Sequence, residues 1–173
     1  MELAEMESFV RAIPDFPIPG ILFRDITPLL HDKRAFAAAI DMIAGAFANA
    51  KIDHVVAIEA RGYILGAPIA YKLGAGFVPV RKPGKLPYEK INVDYALEYG
   101  TNTLEMHKDA LAPGERVLLV DDLLATGGTA AATRTLLEQL GANVVGIAFL
   151  IELTALGGRS KLEGADVRSF ITY

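Results

Sequence analysis

A chain of 173 residues, 52% hydrophobic and 22% charged, suits one α/β domain with a sizeable core. A net charge of −4 argues against broad binding to nucleic acid or an anionic membrane, the apolar runs are too short to span a bilayer, and the absence of cysteine excludes disulfides and thiolate metal sites. The acidic start, residues 1–5, lacks the basic region of a secretory signal, so a cytoplasmic location is expected.

In chain order, Pro14, Pro17, Pro19 and Gly20 predict an irregular, restrained opening segment. Asp32 caps a predicted helix that runs to about residue 50, with Phe36, Ala39, Ile40, Ile43 and Phe47 on one face. Residues 55–58 read as a short buried strand, 62–73 as a helix stopped by Gly74, and 77–80 as the next strand. Residues 81–106 then turn polar, with two prolines, three tyrosines and no sustained helical period. That length predicts a flap or hairpin, a kind of segment that often carries function. Residues 117–120 are the third core strand, 128–140 a helix ending at Gly141, and 144–151 a fourth strand. A short helix near 158–162 and a strand over 167–171 complete the pattern. Alternating strands and helices, with no repeat or linker, predict a mainly parallel five-stranded sheet flanked by helices and joined by right-handed crossovers.

The most informative run is Val117-Leu118-Leu119-Val120-Asp121-Asp122-Leu123-Leu124-Ala125-Thr126-Gly127-Gly128-Thr129. Two adjacent carboxylates stand at the carboxyl end of a buried strand, where open α/β sheets bind ligands. A turn of small residues follows and leads into a helix, offering free backbone N–H groups and a positive dipole end to a phosphate. Ala125, Gly127 and Gly128 supply the backbone cradle, and the hydroxyls of Thr126 and Thr129 add to it. Glycine lets the backbone approach phosphate and take positive φ. Carboxylates repel phosphate, so Asp121 and Asp122 must serve another part of the same ligand, either vicinal sugar hydroxyls or a bridging divalent cation. The run therefore describes a sugar-phosphate site. It is not a Walker loop, because no Gly-Lys-Thr or Gly-Lys-Ser follows. Gly74-Ala75-Gly76 is not a dinucleotide fingerprint, because it precedes a strand and lacks the third glycine. His31, His54 and His107 are isolated, without metal-ligand spacing, and read as structural.

The 117–129 run resembles the phosphoribosyl pyrophosphate (PRPP) motif of type I phosphoribosyltransferases, and Leu123-Leu124-Ala125-Thr126-Gly127-Gly128-Thr129 resembles their adenine-specific branch. Four further segments resemble that branch in the same order. They are Phe16-Pro17-Ile18-Pro19-Gly20-Ile21-Leu22-Phe23-Arg24-Asp25-Ile26-Thr27-Pro28, Glu59-Ala60-Arg61-Gly62, Val80-Arg81-Lys82-Pro83-Gly84-Lys85-Leu86-Pro87 and Leu97-Glu98-Tyr99-Gly100. The resemblance implies a single-domain type I phosphoribosyltransferase fold over 1–173. A small hood would come from about residues 1–30 and the C-terminal elements, and a flexible catalytic flap from about 83–106. It implies transfer of the 5-phosphoribosyl group from PRPP to adenine, giving AMP and pyrophosphate, a purine-salvage reaction.

Roles for named residues follow from the same resemblance. Asp121, Asp122, Ala125, Thr126, Gly127, Gly128 and Thr129 would hold PRPP or AMP. Ala60, Arg61, Lys82 and Lys85 would hold pyrophosphate, where an arginine can grip bidentately. Leu22, Phe23, Arg24 and Leu153 would form the base pocket. Glu98 and Tyr99 of the flap and Arg61 would carry catalysis, with Glu98 near the purine imidazole edge as a candidate proton partner. Mg²⁺ would arrive on PRPP near Asp121 and Asp122, with no direct protein metal site. A homodimer is expected, with no nucleic-acid or membrane partner. Two other readings stay open: a phosphoribosyltransferase for another base, and a non-catalytic PRPP-binding regulator.

Overall fold

The computed structural model, which describes residues 1–96 and 100–173, has the expected irregular stretch around Pro17, Pro19 and Gly20 as a loop over 15–21, flanked within residues 1–31 by four short elements. They are α1 (Leu3–Glu7), β1 (Arg11–Pro14), β2 (Leu22–Asp25) and α2 (Thr27–His31). The prolines stand at the end of β1 and in the connecting loop, where no ladder hydrogen bond is lost. β1 pairs antiparallel with β2, from Arg11 opposite Asp25 to Pro14 opposite Leu22. Asp25 closes β2 and starts α2 by accepting from the Thr27 N–H at 2.9 Å and hydroxyl at 2.7 Å. Met6, Val10, Ile26 and Leu29 tie the segment to the core, and that burial outweighs the loop-like composition.

Asp32 caps α3 (Lys33–Ala46) as expected, accepting from the N–H groups of Arg34 and Ala35, both at 2.9 Å. The helix stops at Ala46 rather than near residue 50, because Phe47 leaves the helical path and sinks its ring into the core. Then come β3 (His54–Ile58), α4 (Arg61–Leu73) and β4 (Gly76–Val80), with Gly74 at φ +65° turning the chain out of α4. The polar stretch is a hairpin of β5 (Lys90–Ala96) and β6 (Thr101–His107), paired antiparallel. β7 (Arg116–Leu124), α5 (Gly128–Gln139), β8 (Asn143–Glu152) and β9 (Val167–Thr172) follow. The turn at Gly158–Leu162 is a 3₁₀ helix.

All five expected core strands join one parallel sheet in the order β4-β3-β7-β8-β9. Its two faces are read off strand alternation. Val55, Leu118, Val120, Ala148 and Leu150 point to the face covered by α3 and α4. Val56, Val117, Leu119, Ile147 and Phe149 point to the face covered by α5 and the β5–β6 hairpin. One boundary matters for function. β7 does not end at Val120 but runs through both aspartates, with Asp121 opposite Phe149 and Leu124 opposite Glu152. The loop into α5 is therefore only residues 125–127.

Candidate active site

The carboxyl ends of β3 and β7 converge with the start of α5. Gly127 precedes that helix at φ +78°, a left-handed conformation that a Cβ resists. A Cβ on Gly127 would also collide with the Gly158 carbonyl, and one on Gly158 with the Ala125 carbonyl. Gly128, the first helical residue, has no such strain; a Cβ there would lie 3.5 Å from the Tyr95 ring. The required glycine is thus Gly127. Behind the loop, Glu152 takes three bonds from Arg159, from Nε at 2.8 and 3.0 Å and from Nη2 at 2.7 Å, and one from the Ser169 hydroxyl. These bonds hold the Glu152 carboxyl below its ordinary range and fix the 158–162 turn against the loop. Nothing local in the sequence signalled this support, since its partners lie on β8, β9 and the 3₁₀ turn.

Asp122 is 5% exposed and pairs with Arg61, Nε to Oδ2 at 2.8 Å. Asp121 accepts from the Asp122 N–H at 2.9 Å. Gly62 lets α4 begin against the acidic pair, because a Cβ there would stand 2.8 Å from Asp121 Oδ1. Burial, and then the neighbouring Asp122 charge, push the Asp121 carboxyl well above its ordinary value. Burial raises Asp122 too, against the pull of Arg61. For a carboxyl raised in the folded state, the protonated form contributes stability in acid, and that contribution is lost as pH rises through the raised value. Asp121→Asn is therefore expected to melt higher than the parent at neutral pH, with the advantage vanishing as pH falls toward 3.8. Melting curves across pH check this; a variant less stable than the parent at neutral pH contradicts it.

Two adjoining cavities meet at this pair. One, of about 220 Å³, is lined by Arg61, Asp121, Asp122 and the whole 123–130 segment. The other, of about 420 Å³, is lined by Glu59, Ala60, Arg61, Lys82, Tyr95, Asn102 and both aspartates among others. Arg61, Asp121, Asp122 and Thr129 belong to both. Thr129 Oγ1 lies 3.2 Å from the Tyr95 hydroxyl, linking the hairpin to the cradle.

The basic cluster divides. Lys82 lines the second cavity. Lys85 and Arg81 instead bond the two oxygens of Glu59, each at 2.7 Å. Burial pushes Glu59 up, but those two bonds prevail and hold its carboxyl below the ordinary range. Tyr63, whose hydroxyl donates to the Val80 carbonyl at 2.8 Å, is pushed up to about 12 by burial. Phe23 reaches the site through Arg61, whose guanidinium carbon is 5.4 Å from its ring centroid. Leu22, Arg24 and Leu153 lie outside both cavities. Arg24 stacks on the Tyr173 ring at 3.5 Å, and Leu153 packs against the α3 side of the core. Glu98 and Tyr99 fall outside the described residues. Among the described residues no group of three His, Cys, Asp or Glu side chains could hold a metal ion, and no helix is long and apolar enough to cross a membrane.

A family model for the phosphoribosyl transferase domain matches residues 26–171. The adenine phosphoribosyltransferase of Acidothermus cellulolyticus is 59% identical over 162 residues, covering 94% of this chain and 92% of that relative. The chain belongs to the adenine phosphoribosyltransferase family. Its structure is similar to the crystal structure of the adenine phosphoribosyltransferase of Thermoanaerobacter pseudethanolicus, at 56% identity and a TM-score of 0.97, covering 99% of this chain and 100% of that one. It is also similar to the Saccharomyces cerevisiae adenine phosphoribosyltransferase, at 43% identity and a TM-score of 0.92, covering 98% of each chain. The yeast protein was solved with D-2,5-dideoxy-2,5-imino-altritol 1,6-bisphosphate and adenine. The type I phosphoribosyltransferase fold expected from the sequence is thus shown, with its five-stranded parallel sheet.

Proposed function

We propose that this phosphoribosyltransferase transfers the 5-phosphoribosyl group of PRPP to adenine, releasing AMP and pyrophosphate. The observation that carries this reading is the pair of cavities joined at Arg61, Asp121, Asp122 and Thr129. They set an N–H cradle, an acidic pair and a cationic pocket in series, the order in which PRPP carries its 5-phosphate, ribose hydroxyls and pyrophosphate. Residues 125–129 receive the 5-phosphate on the free N–H groups at the start of α5. Asp121 and Asp122 accept from the ribose hydroxyls. Arg61 and Lys82, with the Ala60 turn, take the pyrophosphate, and Lys85 supports them from Glu59. Leu22, Phe23, Arg24 and Leu153, in the hood of residues 1–30 and the C-terminal elements, serve the base. The 83–106 segment serves as the flap, and Glu98 and Tyr99 are assigned to catalysis beside Arg61.

The bond from ribose C1 to pyrophosphate breaks with its electron pair leaving on pyrophosphate, and the adenine nitrogen bonds C1 from the opposite side as its proton passes to the carboxylate of Glu98, the candidate proton partner. Arg61 and Lys82 stabilise the charge that builds on the leaving group, and closure keeps water from the activated sugar. The acidic pair, without a third acidic or histidine ligand among the described residues, fits a Mg²⁺ ion delivered by the substrate rather than a resident metal. Asp121 and Asp122 are the residues that would hold Mg²⁺ there, and it would supply positive charge to offset that of the substrate's phosphates. A cytoplasmic homodimer completes the reading.

The test is pyrophosphate release by purified protein given PRPP and Mg²⁺, with and without adenine. Release that requires adenine supports the transferase, whereas PRPP binding without release supports the regulator. Within this reading, Asp122→Asn loses a charge-assisted hydrogen bond and is expected to weaken PRPP by ~1.5–3 kcal/mol, roughly tenfold to a hundredfold. Calorimetric PRPP affinity and the melting temperature measured together check this, and unchanged affinity removes Asp122 from the site.

A further inference from the structure

Glu105 is a buried acid beneath a basic loop. It lies on β6, 6% exposed, and faces no cavity described above. Its backbone exchanges two hydrogen bonds with Arg81, at 2.9 and 2.8 Å, joining the foot of the hairpin to the end of β4. Its side chain makes two more contacts, both through Oε2. One is the Gly84 N–H at 3.2 Å, and the other is Lys90 Nζ at 3.2 Å. Gly84 turns the chain at φ +80°, two residues after Lys82. Lys90 begins β5 and also donates to the Leu86 carbonyl at 3.4 Å. Glu105 thus grips both ends of the 84–90 loop from below. The loop's other cations are also engaged, since Arg81 and Lys85 are held by Glu59. Among the described residues, Lys82 is the loop cation that lines the second cavity.

We propose that Glu105 is a positioning residue for the leaving group, holding the 81–90 loop in the form that presents Lys82 to pyrophosphate. The proposal rests on the transferase reading above. A buried carboxylate is a costly way to hold a loop unless its donors are fixed. Here a backbone N–H and an ammonium fix it, and the conformation it selects serves a cation two residues away. The acid repels pyrophosphate directly, so its contribution to that ligand runs through Lys82.

Calorimetric affinities for pyrophosphate with Mg²⁺ and for AMP, with melting temperatures, are measured for the parent, Glu105→Leu, Glu105→Gln, Lys82→Ala and the double variant Glu105→Leu/Lys82→Ala. Glu105→Leu is expected to lose about tenfold or more in pyrophosphate affinity with AMP affinity nearly unchanged. Glu105→Gln, which keeps an acceptor for the Gly84 N–H, is expected to recover most of the loss. The double variant is expected to bind pyrophosphate no worse than Lys82→Ala alone, because the two act as one unit. Additive losses, equal losses of AMP and pyrophosphate affinity, or no loss in Glu105→Leu overturn the proposal. If Glu105→Leu does not fold, Lys90→Met, which removes the far end of the grip, takes its place alone and combined with Lys82→Ala. A loss of pyrophosphate affinity that spares AMP and does not add to that of Lys82→Ala supports the proposal, and no loss or an additive loss overturns it. A parent that binds no pyrophosphate overturns the transferase reading and this proposal together, whereas a parent that binds it beside an unaffected Glu105→Leu overturns the proposal alone.

Discussion

Gly127→Val will remove AMP binding. Valine at φ +78° is strained by its branched Cβ, and that Cβ points into the Gly158 carbonyl. The carbonyl cannot retreat cheaply, because Glu152 and Arg159 pin the turn that carries it. The 125–127 loop must therefore move, and with it the N–H groups that would receive the phosphate. An expected loss of about a hundredfold or more corresponds to strain of ~1–3 kcal/mol together with lost contacts to a charged group. The measurement is the rise in melting temperature on adding AMP, since a ligand stabilises only the state that binds it. If AMP raises the melting temperature of the variant as much as that of the parent, the cradle has been assigned to the wrong loop.

Arg61→Ala is the second large effect. PRPP carries the pyrophosphate and AMP does not, so an arginine serving the leaving group affects the two ligands unequally. The structure adds a second consequence, because Arg61 also neutralises buried Asp122 at 2.8 Å. Loss of the guanidinium raises the Asp122 carboxyl further and blunts it as an acceptor for ribose hydroxyls, which AMP shares. The expected outcome is a fall of roughly a hundredfold to a thousandfold in turnover. AMP affinity should fall by less than about tenfold, through Asp122 alone. Calorimetry with AMP, PRPP and pyrophosphate, beside steady-state rates, separates the two routes. Equal losses for all three ligands mean that Arg61 only supports the fold, and undiminished pyrophosphate affinity places it outside the leaving-group site.

Much of the scaffold was legible because it is written in local apolar patterns. The runs at Val55, Phe77, Val117, Val144 and Val167 each mark a strand of the sheet, and Gly74 marks the end of α4. Reading stopped at Val120 because aspartate disfavours strands in isolation, yet pairing with the long apolar β8 carries β7 on to Leu124. The four elements of residues 1–31 were hidden by their prolines, and burial of Met6, Ile26 and Leu29 is what forms them. At the site, the cradle and acidic pair were visible as a contiguous run, while the partners of its charges were not. The pairing of Arg61 with Asp122, and the diversion of Lys85 to Glu59, join residues far apart in sequence and leave no periodic trace. The positive φ fell on Gly127, although either glycine of the pair could have supplied it from sequence.

The most direct measurement is a nucleobase panel with PRPP and Mg²⁺ at equal concentrations of adenine, hypoxanthine, guanine, xanthine and orotate. Adenine presents an exocyclic amine where the oxo bases present an acceptor, so one pocket cannot satisfy both without leaving a polar group unpaired. The expected result is nucleotide formation with adenine at a kcat/KM at least about a hundredfold above any other base. Comparable or faster turnover of an oxo base, or no nucleotide from any base, would contradict an adenine phosphoribosyltransferase site.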